Sequence, residues 1–257
     1  MSASVPSSGR FGLILVFVLT ALGAPTAAWA ATPGAEYKAI ETEYNKAQEE
    51  FSKIISRAKG EEEQQKAFEK YPSPDKYAGR FLKLAEKNPT DPAALDALLW
   101  IVSRATYAAE ADTALKLLTE QHSASDKIGG ACQSAVHSQS KHAEGFLRAV
   151  LGTNSHRDVL AKATISLGRR LKANQSESQT AAGEAEKLFE RVVDKFADIQ
   201  GYERTLGEEA KSELFEMRNL AIGQVAPDIE GQDVDGKKFK LSEYAGKVRV
   251  IDFWGDW

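Results

Sequence analysis

Between Glu36 and about Ala221 the apolar residues of this chain recur at helical spacing. Tyr37, Ile40, Tyr44, Ala47, Phe51, Ile54 and Ala58 follow one another in steps of three and four, which draws a single stripe down a helix from Glu36 to Ala58. The stripe covers only about three heptads, the lower limit for a coiled-coil seam, so packing against the next helices is its expected use. Lys59 to Lys70 is strongly charged, with Glu61-Glu62-Glu63 read as a wet helix face. Tyr71-Pro72-Ser73-Pro74-Asp75 then breaks the helix, because each proline lacks a backbone donor and pushes its predecessor out of the helical region. A new helix is predicted from near Asp75.

Further helix-length pieces follow with turn chemistry between them. Thr90-Asp91-Pro92 places an N-cap and a first-turn proline before Leu95, Leu98, Leu99 and Val102. A piece holding Ala114, Leu115, Leu117 and Leu118 comes next. Ser138-Gln139-Ser140 precedes one with Phe146, Leu147, Val150 and Leu151, and Asn154-Ser155 precedes one with Val159, Leu160, Ala163 and Leu167. Leu188, Phe189, Val192, Val193 and Phe196 mark another. No strand-like alternation of any length interrupts residues 36–221, so this region is expected to be an all-helical domain of antiparallel hairpins.

After Ala221 the pattern changes. Asp235-Gly236 between two short extended stretches is a hairpin signal, since glycine accepts the positive φ such a turn demands. Val248 to Trp254 reads as a strand nearly apolar on both sides, as the centre of a sheet requires. A sheet domain is therefore expected to begin near residue 222, and three parts result: 1–30, 31–221 and 222–257.

The first thirty residues are of another kind. Arg10, an apolar run from Phe11 to Ala24, and Ala28-Trp29-Ala30 form a secretory signal layout with small residues at the positions a signal peptidase inspects. Cleavage is expected after Ala30, which exports the protein to the periplasm or the extracellular space. The rival is an uncleaved membrane anchor, but the run of about fourteen residues falls short of the roughly 20 that span a bilayer. No stable membrane span is expected after cleavage. With a formal net charge of -4 and interspersed Lys and Glu, the chain has no basic stripe to neutralise a phosphate backbone, which argues against a nucleic-acid partner.

The tail carries a family resemblance. Gly223 to Asp228 gives G-x-x-A-P-D, Asp235 to Lys237 gives D-G-K, Leu241 to Lys247 gives L-S-E-Y-x-G-K, and Val250 to Trp257 gives a V-x-D-F-W strand with a further Trp. In that order these elements resemble the opening of the redoxin branch of the thioredoxin superfamily, which holds TlpA-like thiol-disulfide oxidoreductases and AhpC/TSA-type peroxiredoxins. The likeness covers about 35 of 257 residues. Together with the helical pattern before it, the likeness implies a fold that is mainly α, with a helical-hairpin domain followed by the incomplete β start of a thioredoxin-like α/β domain. Ala185 to Asp198, AEKLFERVVDKFAD, weakly resembles the second helix of a tetratricopeptide repeat, but no 34-residue period supports it. The helical part also resembles N-terminal regions of some exported TlpA-like proteins.

By this resemblance Asp252 sits where thioredoxins keep a buried carboxylate that handles protons for a second cysteine, and Trp254 and Trp257 flank the active site. Arg249 stands where the strand would carry an apolar residue. The family's Cys-x-x-Cys is expected after this strand and is not in the sequence, so no catalytic residue is assigned and the chain is expected to be an inactive, truncated front end. The family chemistry implies protein thiols and disulfides as partners of an intact protein and no cofactor. The alternative expectation is an extracytoplasmic helical scaffold that binds a protein, with the redoxin-like segment as a remnant.

The single cysteine, Cys132, is either a buried small hydrophobe or a thiol left from an absent partner; its Gly-Gly-Ala setting lacks a thiol-activating context and favours burial. His122, His137, His142 and His156 do not form a metal-binding pattern. His137 and His142 are five apart with a break between them, so all four are expected to be solvated and no metal site is assigned. Asn174-Gln175-Ser176 fits a glycosylation sequon. There is no dinucleotide or P-loop glycine pattern and no nucleophile elbow.

Overall fold

The computed structural model describes residues 1–2, 31–173, 179–220, 225 and 227–252. Its contacts divide the chain between Ala31 and Thr32. The expected leader, its cleavage site and the Asn174-Gln175-Ser176 sequon lie outside the described residues.

Among the described residues, the unit from Thr32 onward contains ten α-helices. They are α1 (Pro33–Ile55), α2 (Gly60–Phe68), α3 (Asp75–Lys87), α4 (Pro92–Arg104), α5 (Glu110–His122), α6 (Gly129–Ser134), α7 (Ala143–Thr153), α8 (Arg157–Ala173), α9 (Gln179–Lys195) and α10 (Leu206–Asn219). Two short strands, β1 (Glu230–Gln232) and β2 (Lys238–Lys240), pair antiparallel with Gly231 opposite Phe239. Short 3-10 turns occupy Asp126–Ile128 and Leu241–Tyr244. Among the described residues no helix is long and apolar enough to cross a membrane.

Caps set the helix starts. The Thr32 hydroxyl accepts from the Ala35 N–H at 3.3 Å, with Pro33 at the first helical position, so α1 begins before its apolar stripe does. Asp91 caps α4 in the same way, accepting from the Ala93 N–H at 2.8 Å with Pro92 next in the chain. Thr205 and Glu208 form a reciprocal capping box on α10. Asn154 ends α7 and leads into α8: its side-chain oxygen accepts from the His156 N–H at 2.9 Å, while its amide donates to the Ser123 and Ser125 carbonyls at 2.9 and 2.8 Å.

Helices adjacent in sequence pack on one another through α3, α4 and α5 and again through α7, α8, α9 and α10, and the two runs are joined by α5 packing on α7 and by α6 lying on both α4 and α8. One continuous core results, with Phe81, Leu98, Ile101, Leu115, Ile128, Phe146, Leu147, Ile165, Leu167 and Phe189 all fully buried. The helices α8 and α9 approach closely at Gly168, where an added Cβ would stand 2.8 Å from the Phe189 ring. Arg170 of α8 fixes the chain after α6 by donating to the carbonyls of Ala135 and Ser138 at 3.0 and 2.7 Å.

Three expectations are corrected. The stripe on α1 is buried only at Ile40 and Tyr44, and Ile54 is exposed. Its lower half is partly covered by α2, a separate helix formed by the charged stretch, through ring contacts of Phe51 with Phe68 and Tyr71 at 5.9 and 5.3 Å. The helix α6 was not foreseen, because Gly129-Gly130 opposes helix formation locally and only packing on α4 and α8 sustains it. The strand expected over Val248 to Trp254 is absent from its described part, 248–252, which is irregular and exposed. A strand needs hydrogen-bonding neighbours, and among the described residues none lies beside Val248 or Val250, whose exposures are 97% and 91%.

Candidate functional site

The tail is organised locally. Asp233 closes the hairpin loop: its carboxylate accepts from the Asp235 and Lys237 N–H groups at 3.0 and 2.9 Å, and Gly236 takes the positive φ of 78° that the turn requires. Glu230 and Lys240, opposite one another across the strands, form an ion pair. Asp228 reaches across to the 3-10 turn, where its carboxylate accepts from the Ser242 N–H at 2.8 Å and the Ser242 hydroxyl at 2.6 Å. These bonds hold the Asp228 carboxyl below its usual range. The A-P-D and L-S-E motifs are therefore joined by hydrogen bonds, a link that their separation in sequence hid.

Asp252 is exposed, and nothing in this structure buries it as a proton-handling carboxylate would be buried. Trp254 and Trp257 lie outside the described residues. Arg249 is also exposed and donates to the Leu241 carbonyl at 2.9 Å instead of occupying a buried strand position. No described residue after Leu220 is buried. The tail thus brings together the hairpin, Asp228 and Ser242, but encloses no reaction centre among its described residues.

Cys132 lies in α6 with 0% exposure and no disulfide partner. Burial pushes its thiol up to about 12, against a small opposing effect from Lys162, whose ammonium is 2.7 Å from Asp158. A thiol so placed stays protonated and cannot attack a disulfide at neutral pH. The burial expected from its sequence context is what the fold provides.

His137 and His156 are exposed, as expected. His142 is half-buried and its Nε2 stands 3.5 Å from Asp112, whose carboxylate accepts from the Ser140 hydroxyl at 2.6 Å. The serine hydroxyl donates to the aspartate and accepts from the His142 backbone N–H at 3.1 Å, and makes no hydrogen bond to the imidazole, so no nucleophilic relay is formed. His122 departs from the solvated expectation: it is half-buried, its Nε2 has no partner among the described residues, and burial lowers its pKa. No group of three or more His, Cys, Asp or Glu residues suited to a metal occurs among the described residues.

Comparison with known proteins adds one short likeness. Over 38 residues the chain is 40% identical to the thiol-disulfide oxidoreductase ResA of Geobacillus thermodenitrificans (strain NG80-2). Over 38 residues it is 42% identical to the thiol-disulfide oxidoreductase ResA of Geobacillus kaustophilus (strain HTA426). Each match takes in 15% of this chain and 22% of the relative, so the chain spans about a fifth of the length of the curated relatives it matches. No family model matches the chain, and no solved structure matches it significantly. A short stretch of this chain therefore resembles part of a thiol-disulfide oxidoreductase, and the greater part of it does not.

Two charged features escaped the sequence reading because their members are distant in the chain. On α8 and α10, Arg169 binds Glu209 and Glu213 at 2.8 Å each, and Lys172 binds Glu213 at 2.8 Å and Glu216 at 2.6 Å. A cleft also opens between α1, α4 and the chain around α6.

Proposed function

We propose that residues 222–257 are the N-terminal segment of a thioredoxin-like redox domain, carried behind an all-helical domain in an exported thiol-disulfide protein. The observation that supports this most is the ordered series G-x-x-A-P-D, D-G-K, L-S-E-Y-x-G-K and V-I-D-F-W, together with the match to two thiol-disulfide oxidoreductases. In such proteins a thiolate attacks a substrate disulfide, which needs a cysteine whose pKa is lowered by its setting. Cys132 has the opposite setting, and it is the one cysteine of the sequence. These 257 residues therefore contribute no thiol-disulfide exchange of their own; protein thiols or disulfides are the substrates of the intact activity.

The redox reading is tested by joining residues 222–257 to the remainder of the thioredoxin-like domain of the Geobacillus thermodenitrificans relative, from its Cys-x-x-Cys onward, in place of that protein's own opening segment. A chimera that folds and reduces insulin disulfides supports common descent of the segment; a folded chimera without turnover counts against it. The chain itself should match buffer in the same assay, and turnover abolished by Cys132→Ser would contradict the role given to that thiol. Export rests on Arg10, the Phe11–Ala24 run and Ala28-Trp29-Ala30. Mass spectrometry of secreted material should find an N-terminus at Ala31, and a cytoplasmic chain starting at Met1 would rule it out.

A second reading is favoured by one observation: the buried core runs from Ile40 to Leu214 without any contribution from the described residues of the tail. On that reading the helical body is the working part, a scaffold that binds a protein partner.

A further inference from the structure

The cleft between α1, α4 and the chain around α6 is an open groove of about 350 Å³ lined by Tyr37, Glu41, Asp96, Trp100, Arg104 and Lys127, with Leu99 and Ala131 adding apolar wall. Its floor is rigid. Trp100 is 4% exposed and is held by edge contact with Tyr44, centroids 5.1 Å apart, and by a tilted contact with Phe81 at 4.3 Å. Both carboxylates at the rim are already engaged: Glu41 accepts from the Tyr37 hydroxyl at 3.0 Å, and Asp96 faces the Lys127 ammonium at 3.4 Å.

Two donors are left over. The Arg104 guanidinium makes no ion pair or hydrogen bond among the described residues and lies 5.9 Å over the Tyr44 ring. The Trp100 indole N–H, although buried, has no acceptor among them either. A buried donor is normally satisfied, and a guanidinium is shaped to take a carboxylate through two parallel hydrogen bonds. The lining thus holds two carboxylates and two cations, and the cation that has neither an ion pair nor a hydrogen bond among the described residues is Arg104, beside an aromatic floor. We propose that this cleft binds a small carboxylic acid with an apolar or aromatic body, the carboxylate on Arg104 and the body against Tyr37, Leu99 and Trp100. The volume is at the low end for a ligand pocket and admits one residue-sized body, either a free acid or the last residue of a peptide. This inference is independent of the redox reading, because none of its residues lies in the tail.

The test is a titration of the full chain followed by the indole N–H resonance of Trp100, assigned through Trp100→Phe. Four probes are compared: N-acetylphenylalanine, its primary amide, an acetylated tripeptide ending in phenylalanine, and that tripeptide's amide. The expected result is a saturable shift with one or both acids and none with either amide, at a Kd of about 1 mM or below. Arg104→Gln, an exposed position, should leave the melting temperature unchanged and weaken binding by roughly tenfold or more, the usual consequence of losing a charge-assisted hydrogen bond. Arg104→Lys should restore part of it. Binding by the free acid alone identifies a small metabolite as the ligand class, and binding by the tripeptide alone identifies a peptide end. Equal shifts with acid and amide, no shift up to about 10 mM, or undiminished binding in Arg104→Gln each overturn the proposal.

Discussion

The helical body and the tail are built from the same kinds of side chains and meet opposite fates. Phe146, Leu147, Val150 and Ile165 are buried by helices on every side, whereas Val248, Val250 and Ile251 are left in water. A helix satisfies its own backbone before it packs, so an apolar stripe on it needs only a neighbouring helix. A strand satisfies its backbone only through another strand, so an apolar run such as Val248 to Ile251 stays irregular until strands lie beside it. The hairpin of β1 and β2 persists because Asp233, Gly236 and Asp228 fasten it locally, without burying anything.

The sharpest way to break this comparison is to truncate one side chain in each region. Phe146→Ala should cost about 3–5 kcal/mol in a denaturant titration, since it removes a fully buried ring from the centre of the body. Val250→Ala should change stability by less than about 0.5 kcal/mol, as expected for an exposed position. Equal losses would mean that the tail is packed as the body is.

A smaller effect is expected where α8 meets α9. Gly168→Ala puts a methyl group 2.8 Å from the Phe189 ring and should destabilise by about 1–3 kcal/mol, with an unfolding transition that stays single. A neutral outcome would show that the α8 and α9 packing can open without loss.

The ion pairs between α8 and α10 should contribute less, and with a defined pH dependence. Burial pushes the Glu213 carboxyl up, but hydrogen bonds from Lys172 and Arg169 together outweigh it, so its pKa lies below the usual range. A carboxyl depressed in the folded state adds stability above its unfolded pKa, and that stability is lost as pH falls through the folded value. Thermal melts should therefore show Glu213→Gln as less stable than the parent near pH 7, by about 1–2 kcal/mol, with the gap closing below pH 4. A gap that persists in acid would assign the effect to packing.

How much of this was legible in the sequence depends on how local the cause is. Asp91-Pro92, Asn154-Ser155 and Asp235-Gly236 announce their caps and turn because each acts on its own neighbours. Gly129-Gly130 hides α6, since only contacts with α4 and α8 make a helix there. The cleft was invisible for a related reason: Tyr37, Trp100 and Lys127 are brought together by tertiary packing, and no spacing rule links them. The Val248 to Trp254 strand was legible as a pattern, but a pattern states what a segment could pair with and not whether a partner is there.

The smallest effect should come from the largest change. Removing residues 222–257 should alter the melting temperature by no more than about 3 °C, because no described residue after Leu220 is buried. It should also improve solubility, since exposed apolar extended chain is a template for association. Trypsin should cut after Lys237, Lys238 or Lys247 well before it cuts within the helices. A tail that resists trypsin, or whose loss lowers the melting temperature by more than several degrees, would make it an integral part of the fold.

The seclusion of Cys132 gives the body a chemical clock. A thiol with 0% exposure and a pKa pushed up to about 12 meets an alkylating reagent only when α6 lifts away from α4 and α8. Since the chain carries one cysteine, each labelled molecule records one such opening, and the labelling rate reads how often the middle of the helical array comes apart under native conditions.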